Sequence, residues 1–76
     1  MIKLKTERLA AGESQAELAR RAHLHPTTIS LIESRRFLPG PGQLSKLARA
    51  LGLPQGEAAS LLDEVPDTED ERSSVR

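Results

Sequence analysis

A chain of 76 residues has room for one small core, and a domain of this size buries only about 60% of the surface its unfolded chain exposes. It contains no cysteine, which excludes disulfides and thiolate metal sites; it has neither an apolar run long enough to span a bilayer nor a signal-peptide pattern, so a cytoplasmic setting is expected. The formal charge of zero conceals an asymmetry: residues 1–54 carry nine Lys or Arg against four acids, a net of +5, and residues 55–76 carry two Arg against seven acids, a net of −5, the pattern of a basic nucleic-acid surface with an acidic tail.

In chain order, a first helix is expected from Ile2 to Ala11, stopped by Gly12. Ser14 then stands as an N-cap with Glu17 at the spacing of a capping box, so a second helix begins at Gln15. Leu18, Ala19 and Ala22 give it one buried stripe, while Glu17, Arg20 and Arg21 face water. Pro26 suits the first position of a third helix, in which Ile29 and Ile32 point inward. The segment 34–42, SRRFLPGPG, is a Pro- and Gly-rich loop in which Phe37 or Leu38 is expected to fold over the core. A fourth helix takes Gln43 to Leu51, with Leu44, Leu47, Ala48 and Leu51 as its apolar stripe and Gly52 as its stop. A fifth is expected from Pro54 to about Glu64, weakened by Gly56. From Pro66 onward the chain is acidic and lacks periodicity, and a disordered tail over 66–76 is expected beyond a domain of residues 1–65.

The third helix turns Thr27, Thr28, Ser30 and Leu31 outward. A face of small hydroxyls and one aliphatic side chain is unusual where solubility alone would favour Glu, Lys and Arg. It suits base edges, because hydroxyls donate or accept and methyl groups rest on a thymine methyl in the major groove. Phe37 is the single aromatic residue, which excludes the stacking platforms of single-strand and RNA binders and leaves duplex DNA as the nucleic-acid partner. Arg35 and Arg36, directly after this helix, are placed to reach phosphates, whereas Lys3, Lys5 and Arg49 read as solvated surface.

The pieces RLAAG (8–12), SQAELA (14–19), TTISLIE (27–33) and LSKLARALGL (44–53) occur in order and without insertion. Over residues 4–53 the chain resembles the helix-turn-helix domain of the lambdoid phage repressor and Cro family of small transcription regulators. The resemblance implies an all-α, compact five-helix repressor-like DNA-binding domain, with helices 2 and 3 as the helix-turn-helix and the third helix in the major groove. It implies that Gln15, Pro26, Thr27, Thr28 and Leu31 read bases, and that Ser14, His25 and Ser30 join Arg35 and Arg36 on the phosphates. It also implies a homodimer paired through the last helix, with Leu53, Leu61 and Leu62 as the candidate seam; the alternative is that they pack on helices 1 and 4 of their own chain, which for Leu61 is the favoured role. Four positions depart from the family pattern: His23 and Arg35 replace glycines, His25 replaces the N-cap Ser of the third helix, and Glu13 replaces an apolar residue. The two lost glycines cost about 1 kcal/mol each where positive φ is kept.

His23, His25 and Glu33 lack a further ligand at a familiar spacing, so no metal site is expected. No nucleophile has a base at motif spacing and no Gly-rich phosphate loop follows a strand, so neither catalysis nor a cofactor is expected. The sequence therefore reads as a dimeric repressor or repressor-activator acting at a palindromic operator. The alternative is an antitoxin or other protein-binding adaptor on the same scaffold; against it, Val75 is the only aliphatic residue after Pro66 to anchor a partner.

Overall fold

The computed structural model describes residues 1–66; the acidic tail expected beyond Pro66 lies outside the described residues. Four α-helices, α1 (Lys3–Ala10), α2 (Gln15–Ala22), α3 (Pro26–Glu33) and α4 (Pro41–Ala50), are followed by a 3-10 helix, Gln55–Leu62. Their buried faces converge on one core in which Leu4, Leu18, Ile29, Ile32, Leu47 and Leu61 are fully enclosed. The fold is all-helical, as the sequence indicates.

Each α-helix ends in the same way. The chain turns through a left-handed residue, Gly12, His23, Arg35 or Gly52, at φ between 58° and 73°. The N–H after that residue reaches back to a carbonyl in the last turn: Glu13 to Arg8 at 3.2 Å, Leu24 to Ala19, Arg36 to Leu31 and Leu53 to Ala48, each at 2.8 Å. These are Schellman closures, and the two made by His23 and Arg35 hold L-residues in a conformation that costs them about 1–2 kcal/mol. His23→Gly is therefore expected to stabilise the domain by about 0.5–1 kcal/mol after the added freedom of the unfolded chain is subtracted. A thermal melt by circular dichroism should show a midpoint a few degrees higher; an unchanged or lower midpoint would show that the His23 side chain itself contributes.

Three expectations are corrected. Neither Phe37 nor Leu38 folds inward: they are 41% and 78% exposed. The left-handed turn at Arg35 redirects the chain so that Pro39 is the buried residue of the loop. The fourth helix starts at Pro41 rather than Gln43, because Pro41 takes the first turn and Gln43 Oε1 accepts from the Gly40 N–H at 3.1 Å. The fifth helix is 3-10 rather than α. With three residues per turn, Gln55, Ala58 and Leu61 fall in one row turned toward α4 and the core: the exposed Gln55 donates through Nε2 to the Ser45 carbonyl at 3.2 Å, Ala58 is half-buried and Leu61 wholly buried.

A further connection has no counterpart in the sequence reading. Ile2 and Glu64 form an isolated antiparallel bridge, in which the Lys3 N–H donates to the Asp63 carbonyl and the Val65 N–H to the Met1 carbonyl, both at 2.8 Å. The chain after the 3-10 helix is thereby fixed beside the start of α1.

Candidate nucleic-acid interface

The helix-turn-helix is assembled from both ends of α2 and α3. At the start of α2, Ser14 Oγ accepts from the Glu17 N–H at 3.1 Å and the Glu17 carboxylate accepts from the Ser14 N–H at 2.8 Å. The Ser14 N–H, and after it the Ser14 hydroxyl, hold the Glu17 carboxyl below its ordinary value. Its contribution is present above the ordinary carboxylate range and is lost as pH falls through the lowered value. At the start of α3, His25 replaces the usual Ser as cap, with Nδ1 accepting from the Thr27 N–H at 3.1 Å. An accepting Nδ1 leaves the proton of the neutral ring on Nε2, a donor on an exposed residue.

Beneath this surface lies a buried charge network. Arg8, only 7% exposed, donates through Nε to Glu33 Oε2 at 2.8 Å, through Nη2 to Glu33 Oε1 at 3.1 Å and through Nη1 to the Glu13 carbonyl at 2.8 Å. Gln15 Nε2 also donates to Glu33 Oε1, at 3.1 Å. One carboxylate at the end of α3 thus gathers a guanidinium from α1 and an amide from the first residue of α2. A bidentate pair of this kind fixes orientation as well as proximity, so Glu33 holds α3 against α1 and, through the Gln15 amide, reaches the start of α2. Glu13, at the position expected to be apolar, is largely buried and pairs with Arg21, whose Nη2 donates to the Ala50 carbonyl at 2.6 Å. That link ties α2 to the end of α4. The Glu13 Oε1 is buried and has no hydrogen-bond partner among the described residues.

The outer face of α3 carries the residues expected there. Pro26, Thr27 and Ser30 are exposed, and Thr28 and Leu31 are half-buried at its margins. Ser14 and His25 are exposed beside it, while Gln15 is half-buried, with its amide held by Glu33. Arg36 is exposed and makes no ion pair among the described residues. Arg35 differs from its expected place on a phosphate: its guanidinium is engaged by Glu64 Oε1 at 2.7 Å and the Leu62 carbonyl at 3.2 Å. The left-handed backbone turns this side chain toward the C-terminal segment, and Arg36 is left at the end of α3 without an ion pair among the described residues. The α-amino group of Met1, then Arg35, hold the Glu64 carboxyl below its ordinary value.

Of the three candidate seam residues, Leu61 is corrected: it is fully enclosed by its own core and has no surface to offer a second chain. Leu53 and Leu62 are half-buried. Leu62 lines an open apolar groove of about 500 Å³ with Leu38, Pro39, Pro41, Leu44 and Ala58, a surface the sequence reading did not locate. Among the described residues no helix is long and apolar enough to cross a membrane.

Comparison with known proteins agrees with this architecture. No curated protein and no solved structure matches the chain. A family model described as a helix-turn-helix domain matches residues 2–61, which takes in α1 through the burial of Leu61. With two capped helices joined through a left-handed His23 and the second of them tied to α1 by the Arg8–Glu33 pair, the chain belongs to the helix-turn-helix domain family.

Proposed function

We propose that this protein is a sequence-specific, double-stranded DNA-binding transcription regulator that acts as a cytoplasmic homodimeric repressor on a two-half-site operator. The observation that carries the reading is the outer face of α3: Pro26, Thr27, Thr28, Ser30 and Leu31 form a small, carboxylate-free surface next to Arg36, which has no ion-pair partner among the described residues. Such a helix fits the major groove, its hydroxyls and methyl groups against base edges. Ser14, the Nε2 of His25 and Arg36 supply donors for the backbone on either side, where contacts set register and salt dependence. Titration of duplex DNA against single-stranded DNA of the same sequence tests this: preference for the duplex, weakening with added salt, is the expected result, and equal or absent binding contradicts it.

The dimer is supported by the groove. The 78% exposed Leu38 stands at the rim of the apolar hollow that Leu62 lines, so one face carries both a projection and a recess. A two-fold pairing requires such a self-complementary patch, and a second copy would seat its Leu38 in the groove of the first. Leu38→Glu and Leu62→Glu are each expected to weaken self-association tenfold or more, equivalent to at least about 1.4 kcal/mol. Equilibrium sedimentation reads this directly, and Leu38→Glu, on the exposed side chain, separates loss of pairing from loss of folding. A parent that stays monomeric at tens of micromolar, about the range of a weak dimer, contradicts the pairing.

A further inference from the structure

The end of the described chain is brought to the end of α3. Glu64 is fixed there by the backbone bridge to Ile2 and receives the Arg35 guanidinium at 2.7 Å, while the Leu62 carbonyl receives its second nitrogen at 3.2 Å. Arg36 follows, exposed and without an ion-pair partner among the described residues. In the sequence, Asp67, Glu69, Asp70 and Glu71 come directly after this anchored segment. Three residues span at most about 11 Å, so Asp67 is tethered within that distance of Glu64. Over the seven residues to Glu71 the tether reaches at most about 25 Å, so all four carboxylates have the reach to meet the pair of arginines that, on the DNA-binding reading, borders the phosphate backbone.

We propose that the Arg35–Arg36 edge is an intramolecular docking surface for the acidic segment Asp67–Glu71, with Glu64 as its fixed first contact, and that this segment competes there with DNA phosphate. The competition rests on the proposed DNA binding; the docking does not. A short tether gives the segment a local concentration in the range of about 1 mM, enough to occupy an exposed cation part of the time even though each surface pair is weak. Binding to non-operator DNA is carried almost wholly by phosphate contacts and is the binding most reduced, whereas base contacts to an operator are untouched. The acidic segment thus acts to sharpen discrimination rather than to abolish binding.

The test compares the full chain with a variant carrying Asp67→Asn, Glu69→Gln, Asp70→Asn and Glu71→Gln, each also in an Arg36→Ala background. Without DNA, the Arg36 side-chain Nε–H resonance is expected to shift on neutralisation. With random-sequence duplex DNA at low salt, neutralisation is expected to tighten binding by about threefold to tenfold, and the gain should shrink toward nothing above physiological salt, where the Debye length is below about 8 Å. Neutralising four acids raises affinity through overall charge in any case, and that part does not depend on Arg36. At least half of the gain is therefore expected to vanish in the Arg36→Ala background. An unmoved Arg36 resonance, or an equal gain in both backgrounds, overturns the docking. If neither chain binds duplex DNA, the functional reading fails, while the resonance still decides whether the segment docks.

Discussion

Glu33→Ala is expected to lower stability by about 3–5 kcal/mol, because it leaves the Arg8 guanidinium buried without a counter-charge. Arg8 loses two of its three hydrogen bonds, the Gln15 amide loses its acceptor, and the junction of α1, α2 and α3 loses the group that joins them. For a domain of this size the penalty corresponds to a fall in melting midpoint of at least about 12 °C, and it is comparable with the whole stability of a small domain. Glu33→Gln keeps the shape and removes the charge, so it should fall between alanine and parent. The pair Arg8→Met with Glu33→Leu removes both charges at once and is expected to recover more than half of the loss. Thermal and urea melts followed at the helical band decide the matter: a Glu33→Ala midpoint within about 3 °C of the parent would mean that the pair contributes less than about 1 kcal/mol and that the core alone holds the three helices together.

The second large effect concerns recognition. Substitutions on α3 and just after it should differ in kind. Thr28→Ala and Leu31→Ala remove groups at the margins of the proposed base-reading face and are expected to cost about 1–3 kcal/mol at the affected base pair, up to about a hundredfold in affinity, with a changed preference at that position. Arg36→Ala removes a proposed phosphate partner, so it should weaken all sequences alike and reduce the salt slope by about one. Both outcomes are read from binding isotherms over a panel of single-base-pair variants at several salt concentrations. Thr28 and Leu31 are half-buried, so each variant needs a melting curve beside its isotherm; unaltered base preference in a folded variant removes that residue from the face.

The features legible in the sequence are those set by neighbours along the chain. Ser14 and Glu17 predict their own capping box from a spacing of three, and the structure contains both halves of it. His23 and Arg35 stand where the resembling family has glycine, and both adopt the left-handed conformation that glycine would supply. What local pattern does not carry is pairing across the chain. Ile2 meets Glu64 over most of the chain's length, and nothing near either residue marks the other. The Arg8–Glu33 pair left a fainter trace: Arg8 lies four residues after Leu4 and Glu33 four after Ile29, so each is a lone charge on a buried stripe, and their signs are opposite. Two such charges in one small core must meet or be left unpaired, a signal open to a reader who looks for it. The loop resisted for another reason. Hydrophobicity favoured Phe37 and Leu38 for its buried position, but the backbone direction set at Arg35 gave that place to Pro39 and left Leu38 on the rim of the groove.

The central claim, that α3 reads duplex sequence, is tested most directly by selecting bound fragments from a pool of random duplex DNA with the parent chain. The account predicts enrichment of one motif, repeated as an inverted pair of half-sites about 10 base pairs apart centre to centre, because two recognition helices of a symmetric dimer enter successive major grooves. A single enriched half-site would retain the reading of α3 and remove the dimer. A pool that emerges from several rounds with no sequence enriched over the input, from a protein that is folded and retains DNA, would contradict base reading by this helix.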